Sequence, residues 1–176
     1  MKCTVYIATS LDGYIARTDG GIGWLPMPKP GEDDYGYAAF MKTVDAIVMG
    51  RNTFELVLTY DEWPYTKPVV VLTSRPGVLP SPLPPGVRAL SGAPDDIIAD
   101  LERTGAKHLY VDGGVTIQRF LAAGRIGRMI ITRIPVLIGS GLPLFGTSTR
   151  DVVLRHVQTR SFPNGLVQSE YLVSET

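Results

Sequence analysis

Three short stretches of this sequence place glycine, hydroxyl and guanidinium groups where an apolar strand runs out, and all three suit phosphate chemistry. The first is Met49-Gly50-Arg51-Asn52-Thr53, a strand passing through glycine into a helix. Gly50 lets a ligand approach the backbone. The free N–H groups of the new helix, with Arg51, Asn52 and Thr53, can hold an anion. The second, Asp112-Gly113-Gly114-Val115-Thr116, again joins a strand to a helix, and its paired glycines leave N–H groups available to a pyrophosphate. It is not the G-x-G-x-x-G fingerprint of a standard dinucleotide fold. The third is Thr73-Ser74-Arg75, where two hydroxyls and a guanidinium fork could take a monophosphate. Each has a plain alternative, since strands commonly close in glycine turns. Together they fit one ligand with a pyrophosphate and a separate phosphate. Asp12 is an acid that could serve a substrate or simply bond its own turn. Trp24 and Tyr37 could wall a flat heterocycle or belong to the core.

These groups need a scaffold that gathers strand ends, and the chain supplies one. With 176 residues, 44% of them hydrophobic, it has the length of one domain, here taken as residues 1–176. The apolar run Lys2–Ala8 suits a buried strand, and residues 10–30 read as an ordered loop of a length usually tied to function. Glu32-Asp33-Asp34 opens a helix to about Thr43, its acids placed for the helix dipole. A strand spans Val44–Gly50, a helix starts at Arg51, and strands follow at Val69–Leu72 and Val87–Leu90 around the Pro-rich loop 76–86. A helix runs from Pro94 to Gly105, a strand over His108–Val111 and a helix over Val115–Ala123. Three strands without helices close the chain, at Met129–Ile134, Val152–Ser161 and Leu166–Val173, the last two joined by the hairpin turn Pro163-Asn164-Gly165. Helix–strand alternation followed by strands alone predicts a mostly parallel sheet with an antiparallel hairpin at one edge.

Ligands of open α/β sheets bind beyond the carboxyl ends of the strands, where all three phosphate-type stretches fall. The ordered set Ser10-Leu11-Asp12-Gly13-Tyr14-Ile15-Ala16, Val48-Met49-Gly50-Arg51-Asn52-Thr53-Phe54-Glu55, Val71-Leu72-Thr73-Ser74-Arg75-Pro76 and Val111-Asp112-Gly113-Gly114 resembles the dihydrofolate reductase superfamily. The segment Pro135–Phe145 is similar to the riboflavin-biosynthesis reductase branch and its stand-alone relatives. The resemblance implies a three-layer α/β fold, with a mostly parallel sheet of about eight strands, a C-terminal antiparallel hairpin and about four helices. It also implies an NADPH-dependent reductase of a pterin- or pyrimidine-type heterocycle, often homodimeric. Gly50, Arg51, Asn52 and Thr53 would meet the cofactor phosphates, Thr73, Ser74 and Arg75 the adenosine 2′-phosphate, and Gly113, Gly114, Val115 and Thr116 the pyrophosphate. Ala8 and the loop with Ile22 and Gly23 would line the nicotinamide. The family's proton-donating acid, counted back from Gly50, falls on Asp34, with Asp33 beside it; counted from Phe40 it falls on Gly36, which carries no acid. A phosphoribosylaminouracil substrate would need basic groups, for which Lys29 and Lys42 are available.

Seventeen basic residues balance seventeen acidic ones, which argues against a general grip on nucleic acid or anionic membrane. No apolar run approaches the roughly 20 residues of a membrane span. Cys3, the one cysteine, can form neither an internal disulfide nor a thiolate metal cluster, and a cytoplasmic protein without a metal is expected. Neither His108 nor His156 has a ligand-spaced partner. There is no H-x-E and no C-x-x-C, so no zinc deaminase site. Three readings remain open: the reductase, a non-catalytic NADP(H)-binding protein, or a flavin or other dinucleotide in the same cleft.

Overall fold

The computed structural model describes residues 1–26, 32–148 and 150–174. Lys29 and the proline-rich residues around it lie outside the described residues. In chain order the elements are β1 (Lys2–Ser10), β2 (Tyr14–Ala16), α1 (Tyr37–Lys42), β3 (Ala46–Gly50), α2 (Arg51–Val57), β4 (Val69–Leu72), β5 (Val87–Leu90) and α3 (Pro94–Arg103). They continue as β6 (His108–Asp112), α4 (Gly114–Ala122), β7 (Arg128–Ile134), β8 (Leu142–Pro143), β9 (Leu154–Ser161) and β10 (Val167–Val173). Eight strands form one sheet in the order β5-β4-β3-β6-β1-β7-β10-β9. The first six are parallel, and β10 and β9 close one edge antiparallel.

Strands covered on both faces carry apolar residues at nearly every position, as in Ala46-Ile47-Val48-Met49 and Val69-Val70-Val71, all buried. One face packs Val5, Val48, Val70, Leu109 and Val111 against Ile97 and Leu101 of α3 and Ile117 and Phe120 of α4. The other packs Ile47, Met49, Val71, Tyr110 and Ile130 against Phe40 of α1 and Phe54 of α2. The four-residue spacing of Ile97 and Leu101 is the apolar stripe of a helix lying on a sheet. Asp96 caps the start of α3 by accepting from the Ala93 N–H at 3.1 Å.

Four details depart from the sequence expectation. Helix α1 starts at Tyr37, not at Glu32, because Tyr35 (φ 58°) and Gly36 (φ 89°) are left-handed and break the helical run. The acids before it fold back on their own backbone: Asp33 accepts from the Tyr35 N–H at 2.7 Å, and Asp34 from Gly36 at 2.9 Å and Ala38 at 2.8 Å. Strand β3 begins at Ala46 rather than Val44, since the exposed Asp45 carboxylate takes the Lys107 and His108 N–H groups at 2.8 and 2.9 Å. The loop after β1 contains β2, which pairs with β8 from the Pro135–Phe145 segment. Finally, β9 begins at Leu154 rather than Val152 and, as the edge strand, has all eight residues exposed.

Candidate functional site

Strands β4, β3 and β6 are consecutive neighbours in the sheet, so parallel pairing brings all three phosphate-type stretches to one continuous edge. The starts of α2 and α4 meet there. A Cβ on Gly50 would stand 3.1 Å from the Thr116 hydroxyl, and a Cβ on Gly113 would run into the Thr53 hydroxyl. The glycines are therefore required first by the close approach of the two helix starts. Neither helix has a side-chain cap, so first-turn N–H groups remain open at this edge. Val115 is 72% exposed, leaving the α4 end accessible. Arg51 leans along α2 to Glu55 at 3.7 Å, and Asn52 is exposed. Beyond β4, the Thr73 hydroxyl accepts from the Arg75 N–H at 3.1 Å. Ser74 and Arg75 are exposed.

The remaining sequence-predicted residues occupy the neighbouring β1 side. Ala8 is half-buried on β1, paired with Thr132 of β7. Ile22 begins a turn whose carbonyl accepts from the Leu25 N–H at 2.8 Å, with Gly23 exposed within it. Trp24 is half-buried, and its indole N–H is buried without a partner among the described residues. Asp12 is exposed and accepts from the Gly139 N–H at 2.8 Å and, more loosely, from Ile138 at 3.3 Å. The Ser10 hydroxyl, with those N–H groups, holds its carboxyl below the ordinary range. Asp34 is likewise held low, by the Ala38 and then the Gly36 N–H. Both acids are thus committed to backbone and ionised at neutral pH.

Asp112 behaves oppositely. It ends β6, paired with Met49 near the end of β3, and burial pushes its carboxyl up to about 6 against the Gly113 N–H (2.8 Å) and the Tyr110 hydroxyl, which favour the charged form. Among the described residues, no ammonium or guanidinium offsets the burial. Its charge helps to raise the phenols of Tyr37, Tyr60, Tyr65 and Tyr110. Burial first, and then that charge, raise the Tyr37 and Tyr65 phenols. The Tyr37 ring lies edge-on to Tyr6 at 5.5 Å and to Tyr110 at 6.4 Å. In the sequence Asp112 has the look of a turn residue, and Tyr60, Trp63 and Tyr65 fall outside the phosphate-type stretches. An acid directly before paired glycines, and three aromatics within six residues between a helix and a strand, were the available signals.

Among the described residues, no cluster of three or more His, Cys, Asp and Glu side chains could hold a metal ion. No described helix is long and apolar enough to cross a membrane.

A parallel sheet between two helical layers, with an antiparallel hairpin edge and glycine-closed strand ends side by side, defines the dihydrofolate reductase-like fold. The dihydrofolate reductase of Enterococcus faecalis, solved with NADP(H), matches it with a TM-score of 0.67 at 18% identity over 99% of this chain and 97% of that one. Within that fold the chain belongs to the RibD C-terminal domain family, whose model matches residues 1–168. A putative riboflavin biosynthesis protein from Shewanella sp. PV-4 is 44% identical, with a TM-score of 0.92 over 99% of this chain and all of that one. The Bacillus subtilis (strain 168) protein YwjB is 36% identical over 178 residues, 97% of each chain.

Proposed function

We propose that the chain is an NADPH-dependent reductase acting on a C=N or C=O of a small heterocycle, with Asp112 as its proton donor. The contiguous ends of β4, β3 and β6, with an acid held partly protonated among them, carry the reading. The residues present fit the cofactor. Open N–H groups at Gly114–Thr116, next to Gly113 and with Gly50–Thr53 beside them, suit a pyrophosphate. Arg75, with no ion-pair partner among the described residues, suits the 2′-phosphate. Ala8, Ile22 and Gly23 would border the nicotinamide. NADPH, when bound, supplies the hydride. The protein then has to orient the acceptor and deliver a proton. Asp112 holds that proton near neutral pH because its ionised form is poorly solvated. The acceptor carbon gains hydride, its nitrogen or oxygen gains the Asp112 proton, and the carboxylate is reprotonated from water. Asp34 and Asp12 are less suited, because the groups that donate to them hold their carboxyls low and charged, and Asp33 is exposed.

Titration with NADPH and NADH tests the cofactor reading. Arg75→Ala should weaken NADPH by about 10–100-fold, the worth of a hydrogen bond to a charged group, and NADH less than twofold. Equal losses for both would remove Arg75 from the 2′-phosphate site.

The homodimer implied by the family resemblance has its best support at β9, where Leu154 and Val157 are exposed, with Val153 just before it. Val157→Asp should turn a dimeric mass by light scattering into a monomeric one. An unchanged dimer would place the contact elsewhere.

A further inference from the structure

Helix α1 leaves the hairpin side of the sheet uncovered. Between α1 and the strands β7, β10 and β9 lies a groove of about 260 Å³, walled by Tyr35, Ala39, Phe40 and Thr43. Strand register sets its floor. Thr132, Gln168 and Arg160 stand side by side on the three strands, and Ile130, Glu170 and Gln158 form the next row, two residues along. Gln168 and Glu170 are only 9% and 8% exposed, and polar groups buried so far cost free energy unless their hydrogen bonds are made.

Most of those bonds are made within the floor. The Glu170 carboxylate accepts from Arg128 Nη2 at 2.8 Å and from Gln158 Nε2 at 2.9 Å. Gln168 Nε2 donates to the Tyr35 carbonyl and to the Tyr6 and Thr132 hydroxyls, each at 3.1 Å. The orientation of that amide is forced, because the Tyr35 carbonyl can only accept and the Tyr6 hydroxyl already gives its proton to it at 2.6 Å. Two groups are left over. Gln168 Oε1 receives no hydrogen bond from the described residues. Arg128 Nε is buried without a partner among them. Arg128 reaches the Glu170 row, one step of about 7 Å along β10 from Gln168. Arg160, exposed opposite Gln168, has no ion-pair partner among the described residues. Arg155 stands exposed opposite Leu172, one row beyond Glu170, and Lys42 is exposed at the end of α1. Against these cations stand Asp33 and Asp34 just before α1, whose oxygens already accept backbone N–H groups.

We propose that this groove is a second binding site, for a free N-acylated amino acid. Its carboxylate is held by Arg128 Nε with Arg160 beside it, and its amide N–H donates to Gln168 Oε1. A bond from a guanidinium to a carboxylate is stronger than one between neutral groups, so the carboxylate carries most of the affinity and the amide sets its direction. The acids before α1 favour a single negative charge over a dianion. The volume suits one residue rather than a longer peptide. The groove faces the hairpin, away from the ends of β4, β3 and β6, so the site stands apart from the reductase reading.

The test is calorimetric titration of the intact protein with hippurate (N-benzoylglycine) and three comparison probes. Hippurate should bind with a Kd below about 1 mM. Hippuramide, which lacks the charge, should bind about 10–100-fold more weakly, and O-benzoylglycolate, which turns an ester oxygen toward Gln168, about five- to thirtyfold more weakly. Arg160→Gln should weaken hippurate about three- to fivefold. The double variant Arg128→Gln with Glu170→Gln, which leaves no charge buried alone, should weaken it about tenfold or more. Far-UV circular dichroism checks that each variant is folded; if the double variant is not, Arg160→Gln decides alone. No hippurate binding in that range, equal binding of either analogue, unchanged affinity in a folded variant, or tighter binding of tetraalanine than of hippurate overturns the proposal.

Discussion

Asp112→Asn lowers kcat by about 10²–10⁴-fold, the span of a lost general acid, and leaves NADPH affinity unchanged. The amide keeps the shape and cannot give up a proton. In the parent protein kcat falls as pH rises through about 6, where the carboxyl ionises; in the variant that limb disappears. Stability moves the other way. The native carboxyl binds its proton more tightly than the ordinary carboxyl of the unfolded chain, near 3.9. Native stability from this group is therefore fully present below about pH 4 and is lost as pH rises through about 6. At pH 8 the folded parent carries a poorly solvated carboxylate that the asparagine variant does not. Asp112→Asn should then melt about 2–4 °C higher, the shift that about 1 kcal/mol makes in a chain of this size. Full turnover in the variant, or a pH profile still falling near 6, would assign the proton to another donor.

Gly113→Ala is expected to lose about 2–4 kcal/mol of stability, read as a lower denaturant midpoint at unchanged slope. Two costs combine. Gly113 sits at φ 85° and ψ 136°, a region essentially closed to residues with a Cβ, worth about 1–3 kcal/mol. The new methyl also drives into the Thr53 hydroxyl. Removing that hydroxyl separates the two costs: Gly113→Ala with Thr53→Ala should recover the collision and keep the backbone strain. NADPH affinity should fall in the single variant, since the N–H groups of the α4 start turn with the backbone. If the double variant is no more stable than the sum of the singles predicts, the Thr53 contact is not the one that excludes a side chain.

The parts of the fold legible in the sequence were those in which local pattern and tertiary role agree. Val69–Leu72 and Val87–Leu90 match their observed limits, because a short apolar run set off by prolines and glycines has one reading. The α1 start was misjudged because Glu32, Asp33 and Asp34 have the composition of a first helical turn, whereas Tyr35 at φ 58° shows no signature in a tyrosine. The pairing of β2 with β8 was invisible for another reason. Strands of three and two residues have no period to detect, and more than 120 residues of chain separate Tyr14 from its partner Pro143. At the site, residue types announced phosphate chemistry, but only the strand order reveals that β4, β3 and β6 are neighbours. Asp112 escaped notice because an acid before Gly-Gly looks like any turn. Its distinction is the central position of β6, which no local window contains.

The short β2–β8 pair bears on how this chain can be recombined with its relatives. Gly141 lies so close to the Ala16 carbonyl that a Cβ would overlap it. Ile15 packs against Gly114, and the Gln118 amide donates to the Pro143 carbonyl at 3.0 Å. The segment after β1 and the segment after β7 therefore form one unit of inheritance that also includes the first turns of α4. A chimera exchanging residues 10–26 alone would set a foreign partner against β8, whereas exchanging 10–26 and 135–146 as a pair keeps the junction intact. Libraries built from homologous parents should place their crossovers outside both segments, and insertions tolerated in one should be accompanied by matched changes in the other.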